Sequence, residues 1–317
     1  MEYLILIASL ALIIGGATLL TDGSTALAAR FRVPEFIVGL TIVAVGTSMP
    51  ELTVSFISAL PPNSDGAMAI GNVVGSNIFN ILAILGVCAV FSPILFTKTN
   101  IRRDIPICIA ASAALVITTA INNDISRIEG ILLLLGYIVM IVMMIRSEKR
   151  VQKLNPTPAE PAESSKPMPL WRIPVWILLG LGGLIWGGDL FVDSASAIAL
   201  AWGVPKSTIA ITLVAGGTSL PELASSLVAI FKGRASLALG NVLGSNIANI
   251  LLILGVCGSI TPLSMGDVTP IDIYVVLAAA TLVMISALVI GRDKMTRFEG
   301  LIFVACYVAY IYYLVTK

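Results

Sequence analysis

Two glutamates stand inside apolar stretches of this sequence, and each arrives with the same companions. Glu51 closes the run Gly46-Thr47-Ser48-Met49-Pro50-Glu51, and Glu222 closes Gly217-Thr218-Ser219-Leu220-Pro221-Glu222. A carboxylate within a segment long enough to cross a bilayer is costly and by default marks function. No Lys or Arg lies mid-segment, so an internal salt bridge has no candidate; the bland alternative is a protonated, hydrogen-bonded acid. On a continuous helix Thr47, Ser48 and Glu51 share one face through i, i+4 and i, i+3 spacing. Pro50 lacks an N–H and clashes with the preceding turn, which predicts a kink or unwinding near Gly46 and freed carbonyls, Ala44 among them. Pro221 repeats this beside Ala215. Broken backbone at membrane depth is tolerated only where it lines a cavity or is buried in protein.

A second duplicated motif adds amides and hydroxyls. Gly71-Asn72-Val73-Val74-Gly75-Ser76-Asn77-Ile78-Phe79-Asn80 is matched by Gly240-Asn241-Val242-Leu243-Gly244-Ser245-Asn246-Ile247-Ala248-Asn249. Ser76 and Asn80 are spaced i, i+4, as are Ser245 and Asn249, and these four are candidate ligands. Asn77 and Asn246 are read equally well as ligands or as polar fasteners between helices, and Gly71, Gly75, Gly240 and Gly244 as packing residues. The pooled donors are all oxygens: two carboxylates, hydroxyls, amides and carbonyls. Hard cations such as Ca²⁺ take about six to eight oxygens in this mixture, whereas soft metals want Cys or His. There is no His, and Cys88, Cys108, Cys257 and Cys306 lie in apolar runs outside the cluster, where small buried hydrophobes are expected. Two facing carboxylates carry a charge that one Ca²⁺, two Na⁺ or two H⁺ neutralise. Left empty, they are unbalanced like charges in a low dielectric. Loaded forms should therefore cross the membrane and the empty form should not, which describes an exchanger rather than a uniporter.

These motifs need elements to carry them. Of the 317 residues, 57% are apolar and 12% charged, too few charges to cover a water-soluble protein of this length. The class is all-α, a polytopic membrane protein. Ten apolar segments are expected at 2–20, 36–60, 67–91, 104–121, 127–146, 174–198, 207–231, 236–258, 271–290 and 297–315, each near the roughly 20 residues a spanning helix needs. Glu2–Leu20 has no basic leader region and is expected to stay as the first span. Pro-rich, charged residues 147–172 form a linker between a five-helix repeat, 1–146, and a second, 173–317. An odd number of helices per repeat inserts the second in the opposite sense, a recurring design of secondary transporters with the site at the repeat interface. If the loops alternate sides, every Lys and Arg except Arg127, Lys206 and Lys317 falls on one side. That side is expected to be cytoplasmic, which places the linker in the cytoplasm and both termini outside, in the plasma (inner) membrane.

With both pairs of motifs in place, the sequence resembles the sodium/calcium exchanger family of the cation/calcium antiporter superfamily, over nearly its whole length. The resemblance implies ten helices with the second, third, seventh and eighth forming the ion-binding core. It implies that helices one and six are long, tilted and slide against that core. By motif match Thr47, Ser48, Glu51 and Ser76 carry over from the first repeat, and Thr218, Ser219, Glu222 and Ser245 from the second. Asn80 and Asn249 fall where the family places Asn or Asp; Asn at both removes one potential negative charge. The short linker has none of the large calcium-sensing domain of animal relatives. The function expected is Na⁺/Ca²⁺ antiport by a chain working as a monomer in lipid, with Ca²⁺ and Na⁺ as cargo, no cofactor and no nucleic-acid partner.

Two alternatives remain at this level. A Ca²⁺/H⁺ antiporter would use the same residues, since two glutamates carry protons themselves. A cation channel is the alternative of another class, but it needs no halves that close on each other. An intramembrane enzyme is poorly supported, with no nucleophile–base pair or Cys/His metal triad beside Glu51 and Glu222. Asp22 and Asp193 match across the repeats as capping or interfacial acids, Asp189 is a candidate for an access path, and Glu129 and Glu299 are helix-start charges.

Overall fold

The computed structural model describes residues 2–60, 66–154, 168–203, 215–290 and 292–316. The helices are α1 (Glu2–Phe31), α2 (Glu35–Thr47), α3 (Met49–Ala59), α4 (Ala67–Phe91), α5 (Asn100–Ala120) and α6 (Arg127–Leu154), then α7 (Arg172–Ala201), α8 (Leu220–Phe231), α9 (Ala235–Ile260), α10 (Pro270–Ile290) and α11 (Arg297–Thr316). Among the described residues 8 helices are long and apolar enough to cross a membrane, or up to 9 if α2 and α3, bent by 47°, count as one span. Of the expected segment 207–231, residues 207–214 lie outside the described residues, and α8 is its second part. Two boundaries differ from expectation. α1 runs on to Phe31 and α6 to Leu154, because nothing at position 20 or 146 breaks a helix: the next chain-breaking chemistry is Val33-Pro34 and Pro156.

α9 is almost wholly buried and α4 largely so, while α6 and α11 keep most of their residues on the outside. The outer faces carry large apolar side chains such as Leu4, Ile128, Leu178 and Val289, as lipid contact requires. α1 and α7, 30 residues each, are about 45 Å long at 1.5 Å per residue. That exceeds the roughly 30 Å hydrocarbon layer, so a span of either must tilt. They pack on each other through a seam of small residues: a Cβ on Gly16 would meet the Gly180 carbonyl at 2.8 Å, and one on Gly180 the Leu20 nitrogen at 2.6 Å. α11 packs on α4, and α6 on α9, so each motif-bearing helix is covered by an outer helix from the other sequence repeat.

Among the described residues four two-residue strands tie the loops. β1 (Ile94–Leu95) pairs antiparallel with β4 (Lys294–Met295), and β2 (Asp124–Ile125) with β3 (Leu263–Ser264). Each pair joins a loop of the first repeat to one of the second, and each joins loops that the charge pattern assigns to the same side. Asp22 does not cap a helix; it forms an ion pair with Lys232 in the turn after α8, and Arg234 pairs with Glu35 at 3.1 Å. Cys88, Cys108 and Cys257 are buried, but Cys306 is exposed on α11, because that helix turns one flank outward.

Glu129 and Glu299 are more than helix-start charges: each closes a capping box. Glu129 Oε2 accepts from the Ser126 amide (2.8 Å) and hydroxyl (2.6 Å). Glu299 Oε2 accepts from the Thr296 amide (2.8 Å) and hydroxyl (2.7 Å), and its Oε1 from Ser286 (2.6 Å). The S/T-x-x-E spacing of both was legible in the sequence. Glu299→Ala strands three donors, the buried Ser286 hydroxyl and the half-buried Thr296 amide and hydroxyl, and we expect it to destabilise the protein by about 1–3 kcal/mol without altering ion selectivity, as measured by thermal unfolding in detergent beside transport.

Candidate cation site

The bend between α2 and α3 falls at Ser48 (φ −83°, ψ 10°), two residues beyond the position expected from Pro50. Proline is at home in the first turn of a helix, where its missing N–H is no loss, so the chain stops at Thr47 and restarts at Met49 with Pro50 inside. A short turn at Ala215–Gly217 followed by Ser219 (φ −92°, ψ 7°) and α8 repeats the geometry, with Pro221 in the first turn. The Ala44 carbonyl is not set free outright: it accepts from the Ser48 amide at 3.0 Å and lies 3.3 Å from the Thr47 hydroxyl. Ala215 stands in the equivalent turn, and its side chain lies outside what is described.

The break overturns the shared face expected for Thr47, Ser48 and Glu51. Ser48 turns away from Glu51 and donates to Glu222 Oε1 across the molecule at 2.8 Å. Ser219 does the reverse, donating to Glu51 Oε1 at 2.9 Å. Ser76 comes to 3.5 Å from the same oxygen and 3.3 Å from the Ser219 hydroxyl. The Thr47 hydroxyl lies 3.1 Å from the Val43 carbonyl and 3.2 Å from Asn241 Oδ1. Glu51, Glu222, Asn80, Asn249 and Ser245 are wholly buried, and Ser76, Ser48 and Ser219 nearly so; Thr218 is half-buried.

Each glutamate thus has one oxygen held by a serine of the opposite repeat. The other, Oε2, is buried and, among the described residues, without a protein partner in both, as are Ser245 Oγ, Thr218 Oγ1, Asn249 Oδ1 and both polar atoms of Asn80. Buried polar atoms almost always find partners, and an ionised carboxylate in such a place needs a positive one. Among the described residues no ion pair involves Glu51 or Glu222. The donors that do reach them are neutral hydroxyls, which leave the negative charge uncancelled. Among the described residues no group of three or more His, Cys, Asp or Glu could hold a metal, so this is a site of two carboxylates and neutral oxygens, not a dense acidic cage. The oxygen set suits a hard cation.

The supporting helices are built for this. α4 takes a π-helical stretch at Phe79–Leu85 and α9 at Asn249–Ile253, a form that recurs at functional sites; here it sits on or beside Asn80 and Asn249. Polar residues whose roles the sequence reading left undrawn extend the site by a turn. Asn241 Nδ2 lies 3.0 Å from the hydroxyls of Ser225 and Ser226, and Asn72 Nδ2 lies 3.1 Å from Ser55 Oγ and 3.2 Å from the Glu51 carbonyl. Ser55 and Ser226 are four residues past Glu51 and Glu222, a spacing that could have flagged them. Asp189 and Asp193 are exposed on α7.

A family model described as sodium/calcium exchanger protein matches residues 1–146 and 172–316. The chain belongs to the sodium/calcium exchanger family. The exchanger is 38% identical to the candidate antiporter CaxA of Alkalimonas amylolytica, over 96% of this chain and 96% of that one. It is 31% identical to the sodium/calcium exchanger MaX1 of Methanosarcina acetivorans, over 98% of this chain and 97% of the relative. Among solved structures it matches the sodium–calcium exchanger NCX_Mj with a TM-score of 0.84 at 30% identity, covering 99% of this chain and 98% of that one. The exchanger is therefore a multi-pass membrane transporter of cations and not an enzyme.

Proposed function

We propose that this exchanger moves Ca²⁺ against Na⁺ by alternating access, holding its ions mid-membrane between two inverted five-helix repeats. One observation carries the reading. Glu51 and Glu222 are fully buried, each is steadied by a serine of the other repeat, and each keeps one oxygen with no protein partner. A site made jointly by two halves loses its geometry when they separate, so binding and the relation between the halves are coupled. The crossed strand pairs β1–β4 and β2–β3 support the inverted arrangement, as does covering of α4 and α9 by outer helices of the opposite repeat. Thr47, Ser48, Ser76, Asn80 and the Ala44 carbonyl serve from the first repeat; Thr218, Ser219, Ser245, Asn249 and the Ala215 carbonyl serve from the second. With ten helices, the excess of Lys and Arg on one side supports a cytoplasmic place for residues 147–172 and an outside place for both termini, in the plasma membrane. All the ligands come from one chain, which supports function as a monomer.

Purified exchanger in Na⁺-loaded liposomes should take up ⁴⁵Ca²⁺ on dilution into Na⁺-free medium, and uptake should collapse when external Na⁺ matches internal. Uptake driven by a pH gradient and indifferent to Na⁺ would replace this reading with Ca²⁺/H⁺ exchange at the same residues. Downhill Ca²⁺ flux needing no counter-ion would refute exchange and leave a channel.

A further inference from the structure

Three buried asparagines form a chain in which each amide dictates the orientation of the next. The Asn246 main-chain carbonyl can only accept, so the Asn77 side-chain atom 3.2 Å from it is the NH₂ group. That leaves Asn77 Oδ1, an acceptor only, 3.0 Å from the Asn249 amide, which must present its own NH₂ there. The one polar atom of Asn249 left over is Oδ1, and it is buried with no protein partner. A reverse bond, from Asn246 Nδ2 to the Asn77 carbonyl at 3.0 Å, fastens α4 to α9 from the other direction. All three residues are wholly buried. In the first repeat the matching link is missing: Asn80 has neither polar atom partnered, and Asn246 Oδ1 is free. The two amides of the site are thus unequal, one pre-set and one free to turn.

We propose that Asn77 is a positioning residue that locks the Asn249 amide oxygen-first toward the transported cation. An unanchored amide can present its NH₂ instead, and that end, with its partial positive charge, repels a cation. Asn77 makes no contact with the ion; it removes the wrong rotamer. The inference rests on the proposed cation site and says which part of that site is rigid before an ion arrives.

The test is a double-mutant cycle on Asn77→Ala and Asn249→Ala in reconstituted exchanger, reading the Ca²⁺ concentration at half-maximal uptake separately from maximal rate. Asn77→Ala should raise that concentration by about tenfold, the worth of one well-placed buried hydrogen bond. The double variant should be no worse than Asn249→Ala alone, since both remove the same oriented oxygen. Asn246→Ala, which deletes the reverse fastening only, should lower thermal stability while shifting half-saturation much less than Asn77→Ala does. Equal shifts in half-saturation for Asn77→Ala and Asn246→Ala would reduce Asn77 to a structural fastener and overturn the proposal. Additive effects of Asn77→Ala and Asn249→Ala would overturn it too. If Asn249→Ala weakens Ca²⁺ uptake and Asn77→Ala does not, the positioning role alone falls. If Asn249→Ala has no effect, Asn249 is no ligand, and its assignment to the site falls first.

Discussion

Glu51→Gln should abolish Ca²⁺ exchange while leaving the exchanger folded, and Glu222→Gln should do the same. Glutamine keeps the length and shape of glutamate and can still accept from Ser219 or Ser48, which hold the Oε1 atoms at 2.9 and 2.8 Å. What it loses is charge, and it puts an NH₂ where an unpartnered Oε2 stood. Breaking a buried ion pair by removing one partner costs about 3–5 kcal/mol. Applied to Ca²⁺ held by two carboxylates, that weakens binding by roughly 10²–10⁴-fold. The fold should not suffer, because the ion-free protein loses a buried charge that no cationic side chain balances. The measurement is paired: ⁴⁵Ca²⁺ uptake in liposomes, and thermal unfolding in detergent with and without Ca²⁺. Wild-type exchanger should gain stability as Ca²⁺ rises, in proportion to the logarithm of its concentration over the dissociation constant. The Gln variants should start as stable or more so and gain nothing. A variant that unfolds in ion-free buffer would make the glutamates structural.

Gly244→Ala should have the other large effect, this time on the fold. An ideal Cβ there lies 2.3 Å from the Leu40 carbonyl oxygen and 2.6 Å from the Leu40 Cα; at Gly240 it lies 2.2 Å from the Phe36 oxygen. The obstacles are main chain on α2, so no side chain can swing aside, and α2 must be pushed off α9. Overpacking a tight interface costs about 1–3 kcal/mol and sometimes more, and the double variant Gly240→Ala/Gly244→Ala should fail to yield folded protein. Leu40 stands one turn before Ala44, so any single variant that folds should also lose transport. Gly15→Ala is the control: it faces outward on α1 with no described atom within 4 Å of the added methyl, and it should be neutral. Unfolding midpoints in detergent decide this, and a Gly244→Ala protein as stable as the control would refute the close α2–α9 contact.

Much of this was legible in the linear sequence because the signals are local or repeated. Apolar runs of spanning length, two glutamates with no cation to pair them, and motifs that occur twice pointed to a membrane cation exchanger with Glu51 and Glu222 at its centre. Gly240 and Gly244 read correctly as packing residues, since small residues at i, i+4 let helices touch, whereas Gly71 and Gly75 have room for a side chain and do not make the close contact expected of them. Even the capping boxes at Ser126 and Thr296 were written in a four-residue spacing. What sequence could not decide was which residue meets which. Helical spacing put Ser48 on the face of Glu51, yet the bend turns it to Glu222, because a proline two residues on resets the helix and i, i+3 reasoning holds only on an unbroken one. Nor could spacing tell that Asn77 fixes Asn249, 172 positions away. Hydrogen bonds across the two repeats depend on how α4 and α9 cross, which is set by packing of the whole bundle. So the sequence by itself determined the inventory of charges and oxygens and the helices that carry them. Only the tertiary structure decided their partners, because a partner is a matter of distance in space, and here each half of the site is completed by the other.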